Sequence, residues 1–344
     1  MKKKVIVGMS GGVDSSVAAY LLCEQGYDVI GVTEVMYGDS QIEINDAVAV
    51  CERLGIEHAI VDCRNEFEDN IIRYFCDTYL LGETPNPCVM CNCIVKWEKL
   101  LTMAEKFSAD KIATGHYSKI LRLDNGRYTV SVAPYKDQSY ALYRLSQKQL
   151  EKTMMPLSGI DKDNVRCLAK KIGLEVADKP DSQDICFVEN NDYAAFLEGK
   201  VKSEFSGTGE FVDLNGNVIG KHKGIEYYTI GQRKGLGLAM GHPVFVVDID
   251  KKNNRIVIGD NEDCFRKTLW IKAVCCMACE EIEDGKVLLC KIRYAHSGTL
   301  GKIYRENDEI YRIEFIEPVR AITKGQSVVM YENNYVYAGG IICR

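Results

Sequence analysis

Apolar residues along the first 200 positions alternate between two kinds of spacing. The runs KVIVGMS, YDVIGVTEV and EHAIVDC are apolar and rich in β-branched residues, which is typical of strands. The segments SSVAAYLLCEQG, INDAVAVCERLG and DNIIRYFCDTYLLG have apolar residues at helical spacing and end in glycine. KIATGHY predicts a further strand. This alternation, which extends to about Gly199, predicts an α/β fold with a parallel sheet wrapped by helices.

From about Lys202 the pattern changes to short alternating strands broken by Gly, Asn and Asp. The predicted strands lie in GEFVDLNGNVIG, PVFVVDIDKKNNRIVIG, KVLLCKIRYA, YRIEFI and QSVVMYENNYVYAGGIIC. The short sequences NGN and KNN are hairpin signals. We therefore predict two small β modules divided near Asp263, and domains covering residues 1–200, 201–262 and 263–344.

Composition narrows the class of protein. With 344 residues, 46% hydrophobic and 27% charged, the chain is long enough for two or three domains. The net charge of -6 argues against coating of nucleic acid by the whole surface, so an RNA contact would need a local basic patch. The apolar run in MKKKVIVGMSGG is too short for a signal peptide, and no window approaches the roughly 18 apolar residues of a membrane helix. We expect a cytoplasmic protein with no membrane partner.

The segment GMSGGVDSSVAAYLL, between the first predicted strand and helix, has the features of an anion-binding loop. Glycines let successive backbone N–H groups face one point, and the helix N-terminus adds partial positive charge. The alternative is a tight turn with a capped helix. The order of residues resembles the pyrophosphatase loop of ATP-cleaving adenylyltransferases, in which Asp14 can also position Mg²⁺. The predicted ATP-binding residues in this loop are Gly8, Met9, Ser10, Gly11, Gly12, Val13, Asp14 and Ser15.

Three cysteines lie close together in TPNPCVMCNCIVKW, at positions 88, 91 and 93. In a reducing compartment, the 15 cysteines of the chain favour buried thiols, catalysis or metal binding over a disulfide framework. The residue types alone leave a metal site, a redox pair, a nucleophile and core packing open. Cys23, Cys51 and Cys76 have apolar neighbours in helical runs, and we expect these three to be buried core thiols.

A longer set of motifs resembles the tRNA-specific 2-thiouridylase family. GMSGGVDSSV, TPNPCVMCN, ATGHY, KDQSY, SQDICF and YYTIGQRKGLG occur in the family's order and extend over most of the chain. The resemblance implies an adenine-nucleotide α-hydrolase-like domain followed by two β modules, the last a tRNA-binding β-barrel. It also implies an ATP-dependent enzyme that adenylates the C2 oxygen of the wobble uridine of tRNA and replaces that oxygen with sulfur. The products would be 2-thiouridine, AMP and pyrophosphate.

The same resemblance assigns roles to the cysteines. Cys91 matches the nucleophile and Cys186 matches the persulfide carrier, with a transient disulfide between them after sulfur release. A relay protein or a cysteine desulfurase would supply the sulfur. Cys88 departs from the Asp that many members carry, and this raises an alternative hypothesis. In that hypothesis Cys88, Cys91 and Cys186 hold three irons of a [4Fe-4S] cluster whose fourth iron binds hydrosulfide.

Further matches concern the substrates. Gly115 would approach the adenosine, and either Glu34 or Met36 would face the adenine. Residues resembling RNA contacts are Asn86, Pro87, Cys88, Lys136, Asp137, Gln138, Arg293 and Tyr294.

A basic segment in the central module is a second candidate RNA contact. Its cations can neutralise phosphates and its tyrosines can stack on bases, and it contains Lys221, Lys223, Tyr227, Tyr228, Arg233 and Lys234. Two other functions stay open on the residues alone. One is an amide or guanidine ligase that uses the same ATP loop, and the other is a non-catalytic tRNA-binding or iron–sulfur sensor protein.

Overall fold

The strands of the protein form three sheets. The computed structural model describes residues 2–179 and 185–344. The strands are, in chain order, β1 (Lys4–Gly8), β2 (Asp28–Val35), β3 (Glu57–Asp62), β4 (Lys111–Ala113), β5 (Lys119–Arg122), β6 (Tyr128–Ser131), β7 (Thr153–Met154), β8 (Gly209–Val212), β9 (Val218–His222), β10 (Phe245–Asp250), β11 (Arg255–Gly259), β12 (Phe265–Cys276), β13 (Lys286–Lys291), β14 (Thr299–Arg305), β15 (Tyr311–Arg320), β16 (Ser327–Glu332) and β17 (Tyr335–Ile342).

The helices lie mainly in the first 200 residues. They are α1 (Val13–Glu24), α2 (Gln41–Leu54), α3 (Arg64–Phe67), α4 (Arg73–Leu80), α5 (Pro87–Cys91), α6 (Trp97–Lys106), α7 (Gln147–Lys152), α8 (Lys162–Lys171) and α9 (Tyr193–Val201). One π-helical turn, Glu68–Ile72, joins α3 to α4, and a second, Asn92–Lys96, joins α5 to α6. Short 3₁₀ turns are Ser139–Leu142, Glu175–Asp178, Glu189–Asn191, Lys202–Glu204, Ile225–Tyr227 and Glu262–Cys264.

The first sheet is parallel, with the order β3-β2-β1-β4-β7. Its central strand β1 has Val5, Ile6 and Val7 fully buried. Both faces of a central strand in a parallel sheet are covered by helices. The residues of such a strand are therefore apolar in succession, as Val5, Ile6 and Val7 are in KVIVG. The predicted parallel α/β sheet is confirmed.

The other two sheets confirm the predicted β modules. The middle sheet has the order β10-β11-β8-β9, and its two antiparallel hairpins turn at the predicted NGN and KNN signals. The last sheet has the order β12-β15-β14-β13-β16-β17, and pairing of β12 with β17 closes it into a six-stranded barrel.

One hairpin of the first half belongs to the barrel sheet. Strands β5 and β6 pair antiparallel, and Ser131 of β6 pairs with Tyr335 of β17. The Val132 N–H also donates to the Asn334 carbonyl at 2.7 Å. The hydrophobic pattern did not predict this hairpin, which ties the barrel to the domain that carries the first sheet.

Candidate active site

The candidate site lies where three adjacent strands of the sheet, β2, β1 and β4, end. The loop 9–12 follows β1, Glu34 and Met36 lie at the end of β2, and residues 114–116 follow β4. The Met9 N–H donates to the Val32 carbonyl at 2.7 Å and fixes the loop against β2. Ligands of open parallel sheets bind at the carboxyl ends of the strands, and this edge is therefore the expected binding position.

The phosphate-loop residues are held by hydrogen bonds within the loop. Ser15 Oγ accepts from the Ser10 N–H at 3.2 Å and donates to the Gly12 carbonyl at 3.1 Å, and Ser16 Oγ donates to the same carbonyl at 2.8 Å. Gly11 has a positive φ of 65°, and a Cβ at this position would lie 2.5 Å from the Glu43 carbonyl oxygen. Only glycine fits here, because both the backbone angle and the space exclude a side chain.

Basic groups converge on Asp14 in the first turn of α1. The Lys162 ammonium lies 2.6 Å from Asp14 Oδ1, to which the Tyr117 hydroxyl also donates at 2.6 Å, and the Lys136 ammonium lies 3.4 Å from Oδ2. The Lys179 ammonium donates to the Gly11 carbonyl at 3.2 Å. The sequence analysis did not identify Tyr117, Lys162 or Lys179. The two lysines lie 148 and 168 positions from their partners, beyond any local motif.

Gly115 packs directly on this loop. A Cβ on Gly115 would lie 2.7 Å from the Ser15 nitrogen and 2.8 Å from the Asp14 carbonyl carbon. The close contact with the first turn of α1 is by itself enough to require glycine at position 115. The approach of Gly115 to adenosine stays a prediction.

The predicted catalytic cysteines lie in separate segments of the first domain, Cys91 in a helix and Cys186 in a loop. Pro87 occupies the first position of α5, where a missing N–H costs no helical hydrogen bond, and Cys91 ends this helix. The Cys91 side chain is buried and its Sγ donates to Met36 Sδ at 3.7 Å. Cys88 and Cys186 are exposed to solvent. In the SQDICF motif, residues 182–184 lie outside the described part of the chain.

Lys96 is a charged residue that affects the pKa of all three thiols, Cys88, Cys91 and Cys186. Burial raises the pKa of Cys91 to about 12, and the Lys96 ammonium opposes this shift. Although Cys88 and Cys186 are exposed in part, the surrounding protein desolvates their thiols and raises the pKa of each. The Lys96 ammonium opposes both shifts. Burial disfavours the charged form of Lys96, but Cys91, Cys186 and Glu34 raise its pKa above the ordinary value. The charge of Lys96 thus favours the thiolate form of Cys88, Cys91 and Cys186 alike.

Glu34 and His116 complete the buried side of the site. Burial raises the pKa of Glu34 to about 8, against the lowering effect of Lys96 and Lys99, and its Oε1 has no hydrogen-bond partner among the described residues. Burial lowers the pKa of His116 to about 3, so this ring is neutral, and its Nδ1 lies 2.9 Å from the Thr114 hydroxyl. A neutral histidine held by its neighbour is suited to shaping the pocket.

Two groups of predicted RNA-binding residues contact each other. The Tyr294 hydroxyl donates to the Asp137 carbonyl at 2.9 Å, and the Arg293 guanidinium donates to the Arg320 carbonyl at 3.0 Å. Gln138 accepts from the Tyr117 N–H at 2.9 Å. The carboxylate of Asp137 accepts from the N–H groups of Ala133 and Ser139. Residues 136–138 therefore join the barrel to the phosphate loop.

Two more predicted contacts flank the thiols. Asn86 precedes α5, and its N–H donates to the Tyr74 hydroxyl at 3.2 Å. Pro87 is buried, and Cys88 alone of this trio is exposed.

The central basic segment divides into an exposed and a buried part. Lys221, Lys223, Arg233 and Lys234 are exposed, and the Lys223 ammonium lies 3.8 Å from the centre of the Tyr227 ring. Tyr228 is only 6% exposed and packs edge-on against Phe211 in the core of the module. The expectation that Tyr228 stacks on bases is therefore wrong, because its ring is already covered by protein.

The three cysteines expected in the core are buried or partly buried. Cys51 and Cys76 are buried, and Cys23 is partly buried against the same core as Cys51. Within residues 2–179 and 185–344, no three His, Cys, Asp or Glu side chains are arranged to hold a metal ion. No helix in these ranges is long and apolar enough to cross a membrane.

Family models match nearly the whole chain. They are described as a tRNA methyl transferase HUP domain over residues 3–190, a tRNA methyl transferase PRC-barrel domain over residues 194–260, and an aminomethyltransferase beta-barrel domain over residues 266–342.

Individual proteins are also similar. The tRNA-specific 2-thiouridylase MnmA of Lachnoclostridium phytofermentans is 48% identical over 357 residues, covering 99% of this chain and 100% of the relative. That of Clostridioides difficile is 48% identical over 99% of this chain and 98% of its own. Among solved structures, the U34-tRNA thiolase NcsA of Methanococcus maripaludis with its [4Fe-4S] cluster is 24% identical, with a TM-score of 0.38 over 59% of this chain and 66% of that chain.

The full-length identity of about one residue in two extends through the phosphate loop, the grouped thiols and the closed barrel. The chain belongs to the tRNA-specific 2-thiouridylase family, whose members are tRNA sulfurtransferases.

Proposed function

We propose that the protein uses ATP to adenylate the C2 oxygen of the wobble uridine of tRNA and then transfers sulfur to C2 from a persulfide on Cys186. The observation that carries this proposal is the 3.7 Å contact of Cys91 Sγ with Met36 Sδ, which places this thiol at the end of β2, at the same sheet edge as the phosphate loop. The Lys96 ammonium favours the charged forms of Cys91 and Cys186. A uracil carbonyl has no leaving group, so an activating step must precede attack by sulfur. One edge of the sheet offers the groups for both steps.

The loop and its lysines suit the first step. The backbone of residues 10–12, the serine hydroxyls and the lysines near Asp14 offer hydrogen bonds and positive charge to a leaving pyrophosphate. Mg²⁺ usually binds through one or two carboxylates and substrate phosphates. Asp14 fits that role, and the ion would neutralise phosphate charge. Glu34 stands at the end of β2, where its unpartnered carboxyl oxygen is a candidate contact for the adenine edge.

The sulfur step needs two thiols. The terminal sulfur of the Cys186 persulfide attacks C2, a carbon–sulfur bond forms, and AMP leaves with the C2 oxygen. The Cys91 thiolate then attacks Cys186 Sγ, and the persulfide bond breaks with its electron pair retained by the sulfur on the base. 2-Thiouridine leaves and a Cys91–Cys186 disulfide remains. A cellular dithiol must reduce this disulfide by two electrons before the next turnover.

Lys96 supplies the charge that these steps require. A thiol of raised pKa is a poor nucleophile because only the thiolate attacks. The Lys96 ammonium favours the charged forms of Cys91 and Cys186 and is held in place by the π-helical turn Asn92–Lys96 directly after Cys91. We therefore assign Lys96 the role of stabilising the thiolates.

The iron–sulfur alternative uses the same residues. A cluster needs three thiolates placed around one centre. Among the described residues, no three His, Cys, Asp or Glu side chains are placed to hold a metal ion, and the steps above are written for the persulfide relay.

We propose that tRNA contacts the protein through the exposed cations of the central module, Lys221, Lys223, Arg233 and Lys234, and through the surface around Cys88 and Tyr294. These residues complement the phosphate backbone and an opened anticodon base. The sulfur would come from a relay protein or a cysteine desulfurase that reaches the exposed Cys186.

The test is reconstitution with unmodified tRNA, ATP and a persulfide donor, followed by mass spectrometry of nucleosides and measurement of AMP. Cys91→Ser and Cys186→Ser should form no 2-thiouridine, because each lacks one of the two working thiols. Cys93→Ser, two positions from Cys91, is the matched control and should retain activity. Thiolation by either Cys91→Ser or Cys186→Ser would reject the proposed roles.

Cys88→Ser separates the relay from the cluster. The relay predicts substantial activity in protein purified without iron, because both working thiols remain. The cluster mechanism predicts loss of activity together with loss of bound iron and of broad visible absorption after anaerobic reconstitution. The second result would replace the relay proposed here.

A further inference from the structure

A second group of thiols lies in the barrel, away from the thiols proposed for sulfur transfer. The sequence VCCMAC places Cys275 and Cys276 at the end of β12 and Cys279 three residues after Cys276. All three are partly buried, so small reagents can reach them. The spacing of Cys276 and Cys279 is the Cys-x-x-Cys of dithiol redox sites.

A β-bulge sets the direction of these side chains. The register of β12 against β17 shifts between Lys272 and Cys275, and Ala273 in the bulge has a positive φ of 50°. Alanine rarely adopts this conformation, and bulges re-aim the side chains that follow them. After the bulge, Cys276 pairs with Ala338 of β17.

The turn after Cys276 is held from two sides. The N–H groups of Met277 and Ala278 both donate to the Tyr337 carbonyl at 3.0 Å. From the β5–β6 hairpin, the Arg127 guanidinium donates to the Cys276 carbonyl at 2.7 Å and to the Met277 carbonyl at 3.0 Å. Cys276 and Cys279 pack on the same barrel core. The turn that joins the two cysteines is thus held by its backbone, and both side chains pack on one core at the contact between hairpin and barrel.

The surroundings activate one of the two thiols. Hydrogen bonding with Cys276 lowers the pKa of Cys279 and raises that of Cys276, and the Tyr337 hydroxyl, Arg127 and Lys286 also lower the pKa of Cys279. A thiol of lowered pKa beside one of raised pKa suits an attacking thiol and a resolving thiol.

We propose that Cys276 and Cys279 form a redox-active dithiol site that exchanges with low-molecular-weight disulfides. The Cys279 thiolate attacks the small disulfide, whose sulfur–sulfur bond breaks to release one thiolate and leave a mixed disulfide on Cys279. Cys276 then loses its proton and attacks Cys279 Sγ, releasing the second small thiolate. Two protein thiols are oxidised, one disulfide molecule is reduced to two thiols, and a Cys276–Cys279 bond forms at the hairpin–barrel contact.

The test equilibrates the full-length protein with mixtures of reduced and oxidised glutathione, traps thiols with N-ethylmaleimide and analyses tryptic peptides. One peptide, residues 273–286, contains all three cysteines. It should become lighter by two hydrogen atoms and lose two maleimide sites, both in the wild type and in the matched control Cys275→Ser. Cys276→Ser and Cys279→Ser should not form the bond. A peptide that stays reduced, carries only glutathione, or closes through Cys275 would overturn the proposal.

A second measurement tests the division of roles between the two thiols. In Cys276→Ala, alkylation of Cys279 by iodoacetamide at neutral pH should slow by about tenfold, because the thiol that stabilises its thiolate is gone. Cys276→Ser keeps a hydroxyl donor and should slow it less. Equal rates in the wild type and Cys276→Ala would show that Cys276 does not activate Cys279.

Discussion

The phosphate loop and Cys91 lie at the same sheet edge, but their protein surroundings suit them to their proposed roles to different degrees. Ser10, Ser15 and Gly12 are linked by hydrogen bonds, and Asp14 is held by Lys162 and other groups, so contacts within the protein define the shape of the loop. In contrast, burial raises the pKa of Cys91 to about 12, which keeps this thiol protonated at neutral pH.

The difference follows from the chemistry of each group. Backbone N–H groups and hydroxyls are dipoles that need no change of charge to receive an anion. A thiol must lose a proton before it attacks, and a buried thiolate is costly unless a cation is near. The loop therefore needs no change of protonation to bind an anion, whereas the thiols depend on Lys96 to favour their charged forms.

The largest expected effect is on the loop. Asp14→Asn removes a charge from a cluster that includes Lys136 and Lys162, and it should lower tRNA-dependent AMP release at least about 100-fold. The rate of Cys91 alkylation should be unchanged, because Asp14 is not among the groups that shift the pKa of Cys91. Asp124→Asn in the exposed β5–β6 turn is the control. Wild-type AMP release by Asp14→Asn would remove Asp14 from the nucleotide site.

A smaller effect is expected at the thiols. Lys96→Met removes the cation that opposes the raised pKa of Cys91, so the pKa should rise further and iodoacetamide should label Cys91 about tenfold more slowly at a given pH. The rate would be followed by mass spectrometry across an alkaline pH series, with the surface variant Lys106→Met as the control. An unshifted pH profile would contradict the role given to Lys96.

Glu34 provides a test through stability. Its pKa is raised from 4.5 to about 8, so the folded state keeps a proton that the unfolded state releases, and stability should fall as pH rises through this interval. Glu34→Gln should remove this part of the decrease, at most about 1.4 kcal/mol per pH unit. Urea unfolding at several pH values measures it, with exposed Glu52→Gln as the reference. Parallel curves for wild type and Glu34→Gln would show that the carboxyl is not desolvated.

The smallest effect concerns RNA binding, which involves neither the loop nor the thiols directly. Arg233→Gln and Lys234→Gln should each reduce the slope of log affinity against log salt by about one unit if each cation contacts a phosphate. Filter binding of tRNA over a salt series measures the slope, and Lys148→Gln is the control. An unaltered slope would place the tRNA contact elsewhere on the surface.

Local patterns predicted much of the fold because their periods match the structure. The run KVIVG became a strand buried on both faces, and the NGN and KNN signals became the turns of hairpins in the middle sheet. The pattern did not identify β12 or β14. In β12 a bulge and several exposed charged residues break the period of two. The β5–β6 hairpin was also missed, although its strands pair locally across the turn at Asn125 and Gly126. Its pairing with β17 joins residues about 200 positions apart, which no local pattern contains.

By itself, the sequence determined the loop chemistry, the positions of the candidate thiols and the order of α/β and β modules, because each is written in neighbouring residues. Only the tertiary structure decided which distant groups share a site. It brought the charge of Lys96 to Cys91 and Cys186, directed Lys162 and Lys179 to the loop, and covered the Tyr228 ring. Desolvation and the effect of nearby charges come from all the atoms around a group, including those of residues distant in sequence. The pKa of a thiol or carboxyl therefore depends on contacts that no local pattern contains.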